Sequence, residues 1–390
     1  MAKKIILVNI VKNYFEIDWI LPVIEELSKT HDLLILFDKK EHLNELKKNT
    51  YLFHSVKNIT DKFYTINLFD KIILKLYGIF SKYFTKFNYL NRLLFNPKLL
   101  FFTKKINFEK IEFFFSDINS YCPLAGFLQG REKRPVIVRY PNSPLIYSSY
   151  DGNKIKYSIV GDILFLNYDI DKNFWKNKIE FNKMKSIGTP KYQKKYLDRA
   201  INFKKEIEYK NYLLVAYSSR FGIGHDDRIL EKQLIDIMDT LIEINEKKIV
   251  LKIHPRLNNN KYLEVLSKYN KNRWYISNDH ITPLIYNSEV FLHESNSASL
   301  MEGLALGKKC IEYWDPFEKN KFGNFKNNNE NINIKANNSE ELKNLIHSVL
   351  DNKDQNLWEN QKKNYLKIIN KNLNPIKSFI EEIKRIEHKI

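Results

Sequence analysis

Short apolar runs alternate with stretches of helical periodicity along most of the chain. The first three are KKIILVNI, FEIDWILPVIEELSKT and HDLLILFD, which predict a buried strand, an amphipathic helix and a second strand. The alternation restarts after the Lys/Glu-rich stretch RAINFKKEIEYKN, with the predicted strands YLLVAYS and KKIVLKIHP. Strands that alternate with helices form parallel sheets covered by helices on both faces. The pattern therefore predicts two doubly wound, Rossmann-like α/β domains.

A break in this alternation near residue 205 sets the predicted domain boundary. We expect an N-terminal Rossmann-like domain over residues 1–205, which contains a basic, aromatic helical segment at 71–105. A second Rossmann-like domain is expected over residues 206–355, followed by helices at 356–390 that pack back on the first domain. A length of 390 residues suits two domains, because single cores stop growing at about 250–300 residues.

The formal net charge of +18 favours an anionic partner, although lysine is abundant throughout and compositional bias accounts for it equally well. Residues 71–110 hold nine Lys or Arg and one acid, Glu109, among many aromatic and aliphatic residues. Such a stretch can lie on an anionic membrane surface, or form ordinary helices whose lysines face water. We expect membrane contact rather than nucleic-acid binding, because no nucleic-acid recognition motif accompanies the charge.

The pattern predicts neither a signal peptide nor a membrane-spanning helix. The apolar start MAKKIILVNI is soon interrupted by polar residues, and no window reaches 18 uninterrupted apolar residues. Cys122 and Cys310 are far apart in apolar runs, so we predict two buried, reduced thiols. These features favour a cytoplasmic protein, which the basic segment would bring to the inner face of the membrane.

Polar, ligand-type residues follow five of the predicted strands. Ligands of open parallel sheets bind beyond the carboxyl ends of the strands, so these positions are binding candidates. In the first domain they are Asp117, Tyr140, Asn142 and Ser143. In the second domain they are Ser218, Ser219, Arg220, Gly222, Gly224, Lys252, His254, Pro255, Arg256, His293, Glu294, Ser295 and Ser297.

The stretch HESNSASLMEG joins a predicted strand to a predicted helix. A serine-rich corner at a helix start offers backbone N–H groups, hydroxyls and the positive end of the helix dipole, which together suit a phosphate. Simple N-capping by Ser295 or Ser297 would explain one serine. It would not explain His293 and Glu294 ahead of the corner, or His254 one β-unit earlier. We therefore expect a phosphate site here.

The segment EVFLHESNSASLMEGLALGKKCIEYWDP resembles the donor-binding segment of GT-B glycosyltransferases. KIHP followed by HESNSAS is similar to the His-Pro and Ser-Ser motifs of bacterial transferases that use CMP-activated sialic acid or Kdo. Poly(glycerol phosphate) transferases that use CDP-glycerol carry a related pair. KSIGTPKYQKKY resembles a segment of bacterial surface-carbohydrate biosynthesis proteins. The resemblance covers about residues 110–320 and implies a GT-B fold, with two Rossmann-like domains facing a cleft.

The resemblance also implies roles for the residues of the second domain. His254, Ser295 and Ser297 would hold the nucleotide phosphate and stabilise the negative charge that develops on the leaving group. Lys252 and Arg256 would add positive charge beside them. The remaining strand-end residues of this domain would complete the donor site.

A base is needed to take the proton of the acceptor hydroxyl during inverting transfer. Asp117, at a buried strand end of the first domain, is the favoured candidate, and His225 or Asp226 is the alternative. Related transferases have a histidine where this chain has Asn142, so no catalytic histidine carries over to that position. On the donor side, the resemblance implies that Glu302 contacts the ribose.

Together these features predict an inverting, metal-independent glycosyltransferase. We expect it to transfer a CMP-activated ulosonic acid, such as Kdo or a sialic-acid-like sugar, to a glycan or lipid-linked acceptor in capsule or lipopolysaccharide synthesis. The nucleotide sugar is a co-substrate, and neither a cofactor nor a metal ion is expected. Three alternatives stay open: a CDP-glycerol-type phosphotransferase, a UDP-sugar-using GT-B transferase, and a sugar-nucleotide epimerase on the same fold. A non-catalytic scaffold would have no need for His254, the serine corner or Asp117.

Overall fold

The computed structural model describes residues 3–84, 106, 108–118, 122–131, 133–141, 143, 159–203, 210–217, 227–244, 247–254, 259–294, 297–313, 332–369 and 374–388. The chain divides into two compact units. The first comprises Met1–Ser148, Gly152–Gln193 and Asn372–Ile390, and the second comprises Ser149–Asp151 and Lys194–Lys371.

A parallel sheet of seven strands forms the centre of the first unit, in the order β3-β2-β1-β4-β5-β6-β7 among the described residues. Its strands are β1 Lys4–Ile10, β2 His31–Phe37, β3 Phe63–Thr65, β4 Ile111–Asp117, β5 Val136–Tyr140, β6 Ile163–Leu166 and β7 Met184–Ser186. Its helices are α1 Phe15–Leu27, α2 Lys40–Lys48, α3 Thr50–Lys57, α4 Leu68–Phe84, α5 Pro123–Gln129, α6 Asp171–Trp175 and, from the C-terminus, α14 Pro375–Glu387.

Helices cover both faces of this sheet, because the strands are almost continuously apolar and bury side chains on each side. Leu7 and Phe114 pack with residues of α4 and α5 in one core cluster. On α14, Phe379 stacks on Phe165 of β6, with ring centroids 3.9 Å apart, and lies 5.7 Å from the ring of Phe115. These ring contacts fix the last helix of the chain to the first unit.

The second unit contains a parallel sheet of six strands, in the order β10-β9-β8-β11-β12-β13 among the described residues. Its strands are β8 Tyr212–Tyr217, β9 Ile249–Ile253, β10 Trp274–Ile276, β11 Ser288–Glu294, β12 Cys310–Tyr313 and β13 Ile334–Ala336. Its helices are α7 Lys194–Asn202, α8 Asp227–Ile244, α9 Asn259–Leu266, α10 Ile281–Asn287, α11 Ser299–Ala305, α12 Ser339–Leu350 and α13 Gln355–Ile368.

These sheets confirm the predicted α/β class with two doubly wound parallel sheets. The division differs in detail from the predicted domains, since the first unit breaks off at Gln193 and resumes at Asn372, and α13 belongs to the second unit. The reason for the latter is Gln361, whose amide binds both the N–H and the carbonyl of Cys310 at the start of β12. Cys122 and Cys310 are both buried, as predicted. In the described part of the chain, no helix is long and apolar enough to cross a membrane.

Both sheets follow the Rossmann strand order 3-2-1-4-5-6, in which the chain reverses direction across the sheet between the first and the fourth strand. This switch point lies between β1 and β4 in the first unit and between β8 and β11 in the second. Ligands of doubly wound folds bind beyond the carboxyl ends of the strands at such points. The two carboxyl edges at these switch points are therefore the expected binding positions.

Candidate functional site

Asp117 is the last residue of β4, directly at the switch point of the first unit. It is fully buried and lies opposite Tyr140 of β5 in the sheet register. Its neighbour on the other side is the end of β1, since Asn9 pairs with Ser116. The structure therefore brings together Asp117 and Tyr140, two of the residues predicted for the acceptor side.

Glu16, in the first turn of α1, adds a second buried carboxyl group to this edge. It accepts hydrogen bonds from the backbone N–H groups of Val11 at 2.9 Å, Lys12 at 2.6 Å and Asn13 at 3.3 Å. Burial, and then the negative charge of Asp117, raise the pKa of Glu16 to about 8, although the three N–H donors oppose this. The edge thus holds a carboxyl group that can gain or lose a proton near neutral pH.

Arg139 and Tyr140 of β5 border the same two acids. The Arg139 guanidinium is almost fully buried and donates to the backbone carbonyl oxygen of Asp117 at 2.5 Å, which supports the strand end. Burial, followed by the charges of Glu16 and Asp117, raises the pKa of Tyr140 well above its ordinary value. Tyr140 therefore stays a neutral phenol, and its ring stacks on Trp19 with centroids 5.6 Å apart.

The stability of the fold is expected to depend on pH through Glu16. Its carboxyl group keeps a proton up to about pH 8 in the folded chain, but loses it near the ordinary value of 4.5 when unfolded. Since the folded state binds more protons between these values, the free energy of unfolding should fall as pH rises through this window. The variant Glu16→Gln cannot ionise and should show a flatter profile, measured by urea unfolding at several pH values across the window.

Burial also raises the pKa of Asp38, to about 7. Asp38 therefore makes the free energy of unfolding fall as pH rises, equally in the unchanged protein and in Glu16→Gln. The difference between the two profiles therefore isolates Glu16. Parallel profiles would show that Glu16 is already ionised in the folded chain and would contradict the expectation.

The segment KSIGTPKYQKKY has a structural role beside this edge. Lys191 forms a buried ion pair with Asp18 of α1, with Nζ and Oδ2 2.7 Å apart. Thr189 Oγ1 donates to Asn167 Oδ1 at 3.0 Å, and the same oxygen accepts the indole N–H of Trp19 at 2.7 Å. These contacts hold α1, and with it Glu16, against the ends of β6 and β7.

Asn167 also reaches a residue of the predicted acceptor side. Its amide Nδ2 donates to the backbone carbonyl of Ser143 at 2.8 Å. Ser143 is thus tied, through its main chain, to the same network as Trp19.

In the second unit, His293 and Glu294 end β11 at the equivalent switch point. Both are buried, and His293 Nδ1 donates to the Glu294 carbonyl oxygen at 3.1 Å. Burial lowers the pKa of His293, and the opposing charge of Glu312, its register partner on β12, does not reverse this. Glu312 itself faces Lys335 at 3.6 Å. His293 is therefore a neutral imidazole and supplies no positive charge to a phosphate.

At the start of the helix that follows β11, a side chain of the same corner accepts a hydrogen bond from one of the backbone N–H groups. Ser297 Oγ accepts the backbone N–H of Ser299 at 3.3 Å, and the two hydroxyls lie 2.7 Å apart. Glu302 is buried and accepts a hydrogen bond from the Thr282 hydroxyl, so it joins α11 to α10. The ribose contact of Glu302 and the phosphate contact of Ser297 remain predictions.

Lys252 lies in β9, and His254 directly follows that strand. Because β9 is the neighbour of β8, both residues lie at the same carboxyl edge of the sheet. Lys252 lies in one register row with Ala216 and His293, and its Nζ donates to the Ser277 carbonyl at 3.4 Å. The His254 backbone N–H donates to the Tyr217 carbonyl at 2.9 Å, and its side chain is half-buried. The structure thus places His254 and Ser297 at the ends of two strands that flank β8.

Several predicted site residues lie outside the described residues. They are Asn142, Ser218, Ser219, Arg220, Gly222, Gly224, His225, Asp226, Pro255, Arg256 and Ser295. The basic segment 71–105 is described as far as Phe84, within α4.

Sequence reasoning missed Glu16, Arg139 and the Asp18–Lys191 pair. An acid in the first turn of a helix is common, because it complements the helix dipole, so Glu16 gave no distinctive signal. One signal was available for Arg139, since a cation inside the otherwise apolar run PVIVRY must be paired when buried.

No protein-family model and no curated protein matches this sequence. Solved structures do resemble it. The UDP co-structure of MnaA from S. aureus has a TM-score of 0.64 at 12% identity, covering 99% of this chain and 98% of that one. The UDP-GlcNAc 2-epimerase of Neisseria meningitidis, bound to UDP-GlcNAc, has a TM-score of 0.60 at 12% identity, covering 98% and 100%. HepE of Anabaena, in complex with UDP and glucose, has a TM-score of 0.51 at 10% identity, covering 99% and 100%.

The chain has a GT-B fold. At these identities the likeness concerns the fold alone, and it extends over both Rossmann-like units. The fold expected from the segment HESNSAS and its neighbours is thereby confirmed. The neighbours named here include a UDP-GlcNAc 2-epimerase, and their structures hold UDP or a UDP-sugar.

Proposed function

We propose that this protein is a sugar-nucleotide epimerase that acts on a UDP-linked hexosamine. The observation that carries the proposal is the pair of buried carboxyl groups, Glu16 and Asp117, at the switch point of the first unit. Inverting the hexosamine carbon beside the anomeric carbon by proton transfer requires a base that takes the carbon-bound proton while the electron pair of that bond expels UDP from the anomeric carbon. The proton then returns on the other face of the sugar as UDP adds back. Such transfers are most efficient when the pKa of the catalytic group lies near the operating pH.

The two carboxyl groups suit this task because their environments differ. The pKa of Glu16 is raised to about 8 by burial and by the charge of Asp117, so Glu16 holds a proton near neutral pH. Two titratable groups whose environments separate their protonation states are a common basis for acid and base roles. We assign proton transfer on the sugar to Asp117, with Glu16 as the group that holds or returns a proton beside it.

The nucleotide is assigned to the carboxyl edge of the second unit. His254, Ser297 and Lys252 lie at or just beyond the ends of strands that flank β8 there, and we assign them to phosphate and ribose oxygens. The structural neighbours include complexes with UDP and with UDP-GlcNAc, which favours UDP over the CMP-linked acidic sugar expected from the sequence. The CMP-linked donor, the capsule or lipopolysaccharide product and the glycan acceptor remain predictions.

A glycosyltransferase is the second candidate. It is favoured by the likeness to HepE, whose structure holds UDP and glucose. In that case Asp117 alone would serve as the base that takes the proton of an acceptor hydroxyl, and the proton on Glu16 would have no part in the reaction. The two candidates therefore differ in whether a carbon-bound hydrogen of the sugar exchanges.

The test is to incubate the full chain with UDP-GlcNAc in D2O and follow the sugar by proton NMR. An epimerase is expected to produce the second epimer, with loss of the signal of the hydrogen at the inverted carbon as deuterium enters. UDP should also raise the Tm of the protein more than CMP does. Glu16→Gln is the matched variant, because it removes the titrating proton while keeping an oxygen for the backbone N–H groups.

A glycosyltransferase would instead leave the sugar hydrogens unexchanged and release UDP only when an acceptor is added. Stabilisation by CMP and not by UDP would restore the CMP-sugar prediction. If neither nucleotide changes the Tm, the assignment of the second unit to nucleotide binding is wrong.

A further inference from the structure

One helix of the first unit exposes a continuous apolar surface. On α4, Leu68 is 74% exposed, Phe69 52%, Ile72 48% and Leu76 45%, and we call these four residues the α4 face. Single exposed apolar residues are ordinary, whereas a contiguous group of them marks a surface that contacts something apolar. We propose that the α4 face binds the surface of an anionic lipid bilayer.

The spacing of these residues places them together. Leu68, Ile72 and Leu76 are four residues apart, so successive side chains are rotated by only about 40° around the helix axis. Phe69 lies about 20° beyond Leu76 on the same count. The four side chains thus form one stripe along about the first two and a half turns of α4.

The opposite side of α4 is anchored in the protein, so the exposure of the stripe is fixed by the fold. Leu74 is buried in the core cluster that includes Leu7 and Phe114. The Tyr77 hydroxyl donates to the Gly126 carbonyl of α5 at 2.9 Å, and its ring meets Phe127 edge-on at 5.5 Å. Rotating the helix to bury the stripe would break these contacts.

The exposed charges that α4 itself places beside the stripe are positive. Lys71 and Lys75 are exposed, and on a helix they lie along one border of the α4 face. Asp70, the acid of this helix, is fully buried and contributes no exposed carboxylate. Along the sequence, residues 71–105 contain eight Lys or Arg and no acid. A stripe of apolar side chains bordered by lysines complements a bilayer, whose acyl boundary is apolar and whose headgroups are anionic.

A second copy of the chain is a poorer occupant for this face. Packing two such stripes together would bring lysines of like charge close to each other, which is unfavourable. Because α4 is not long and apolar enough to span a membrane, it would lie in the plane of the headgroups with the stripe turned inward. The proposal is independent of the epimerase assignment, since it uses none of the residues of either carboxyl edge.

The experiment is co-sedimentation of the full chain with vesicles of phosphatidylglycerol and phosphatidylcholine, compared with vesicles of phosphatidylcholine alone. The protein is expected to bind the anionic vesicles and to be released as salt concentration rises. Ile72→Asp combined with Leu76→Asp should lower binding at least tenfold. Lys71→Gln combined with Lys75→Gln should lower it roughly 30-fold, as expected for two lysines near an anionic surface.

The matched control is Leu357→Asp, which places the same charge on an exposed leucine of α13, 38% exposed, in the second unit. It should leave vesicle binding unchanged. The lysine double variant keeps the proposal testable if the aspartate variants unfold, because exposed lysines make little contribution to the core. Thermal melts with UDP report on the nucleotide site separately, so a failure of either proposal can be recognised.

Three results would overturn the inference. Equal binding to phosphatidylcholine alone would exclude an anionic surface as the partner. Unchanged binding by both double variants would place any membrane contact elsewhere. A concentration-dependent dimer in size-exclusion chromatography that Ile72→Asp abolishes would identify the α4 face as a contact between two copies of the chain.

Discussion

Replacing Asp117 with Asn is expected to lower kcat for the nucleotide-sugar reaction by about 10²–10⁴-fold, the range typical of a removed acid–base group. Asn has the same shape as Asp, and the backbone carbonyl of residue 117 would still accept the hydrogen bond of Arg139. The fold should therefore survive, while the side chain can no longer take a proton. Steady-state kinetics with UDP-GlcNAc measure the effect, and the Tm shift produced by UDP should stay as in the unchanged protein.

Asp32→Asn is the control for this variant. Asp32 also lies in the first unit, but at the amino end of β2, where it pairs with Lys62 and is partly exposed. Its replacement should leave kcat within twofold, as a rough limit for a charge at the opposite edge of the sheet. Full activity of Asp117→Asn with an intact fold would remove Asp117 from the mechanism, and with it the carboxyl pair on which the proposed function rests.

Replacing Lys191 with Met is expected to lower the free energy of unfolding by about 3–5 kcal/mol. Lys191 and Asp18 are only 8% and 6% exposed and lie 2.7 Å apart. Removing the lysine takes away the cation that lies beside the buried Asp18 carboxylate, and breaking a buried ion pair by removing one partner is strongly destabilising. Urea unfolding followed by circular dichroism measures the loss. Because this pair holds α1, kcat should also fall as Glu16 loses its position.

The double variant Asp18→Leu with Lys191→Met should recover most of this loss, since a buried ion pair can be replaced by apolar groups at little net cost. Lys183→Met is the matched surface control, because Lys183 pairs with Glu180 at 2.8 Å in the same unit but is 35% exposed. It should cost less than about 1 kcal/mol. A double variant no more stable than Lys191→Met would show that the loss comes from packing rather than from the unpaired charge.

The class of the fold could be predicted because it follows from a local property. Strands buried on both faces are largely apolar, as in β8, and the helices between them show one apolar stripe. The assignment of the last helices could not be predicted in the same way. Phe379 packs on Phe165 in the first unit, whereas Gln361 binds Cys310 in the second, and neither contact leaves a trace in the periodicity of its own helix.

The candidate site was predictable to the extent that it lies at strand ends. Asp117, His254 and His293 were all identified because polar residues directly after a buried strand stand out in the sequence. Their states were not predictable. His293 is neutral because it is fully buried, and the pKa of Glu16 is raised to about 8 by burial and then by the charge of Asp117, both of which arise only when α1 packs beside the end of β4.

By itself the sequence determined two parallel α/β sheets and the strand ends at which polar side chains collect, because periodicity and burial are properties of each segment. Only the tertiary structure decided which of those side chains are paired, charged or turned inward. Lys191 meets Asp18 across 173 residues, and Glu302 turns toward Thr282 rather than outward. The physical reason is that pairing and pKa depend on distance and solvent exclusion in space, and these arise only when segments remote in the chain pack together.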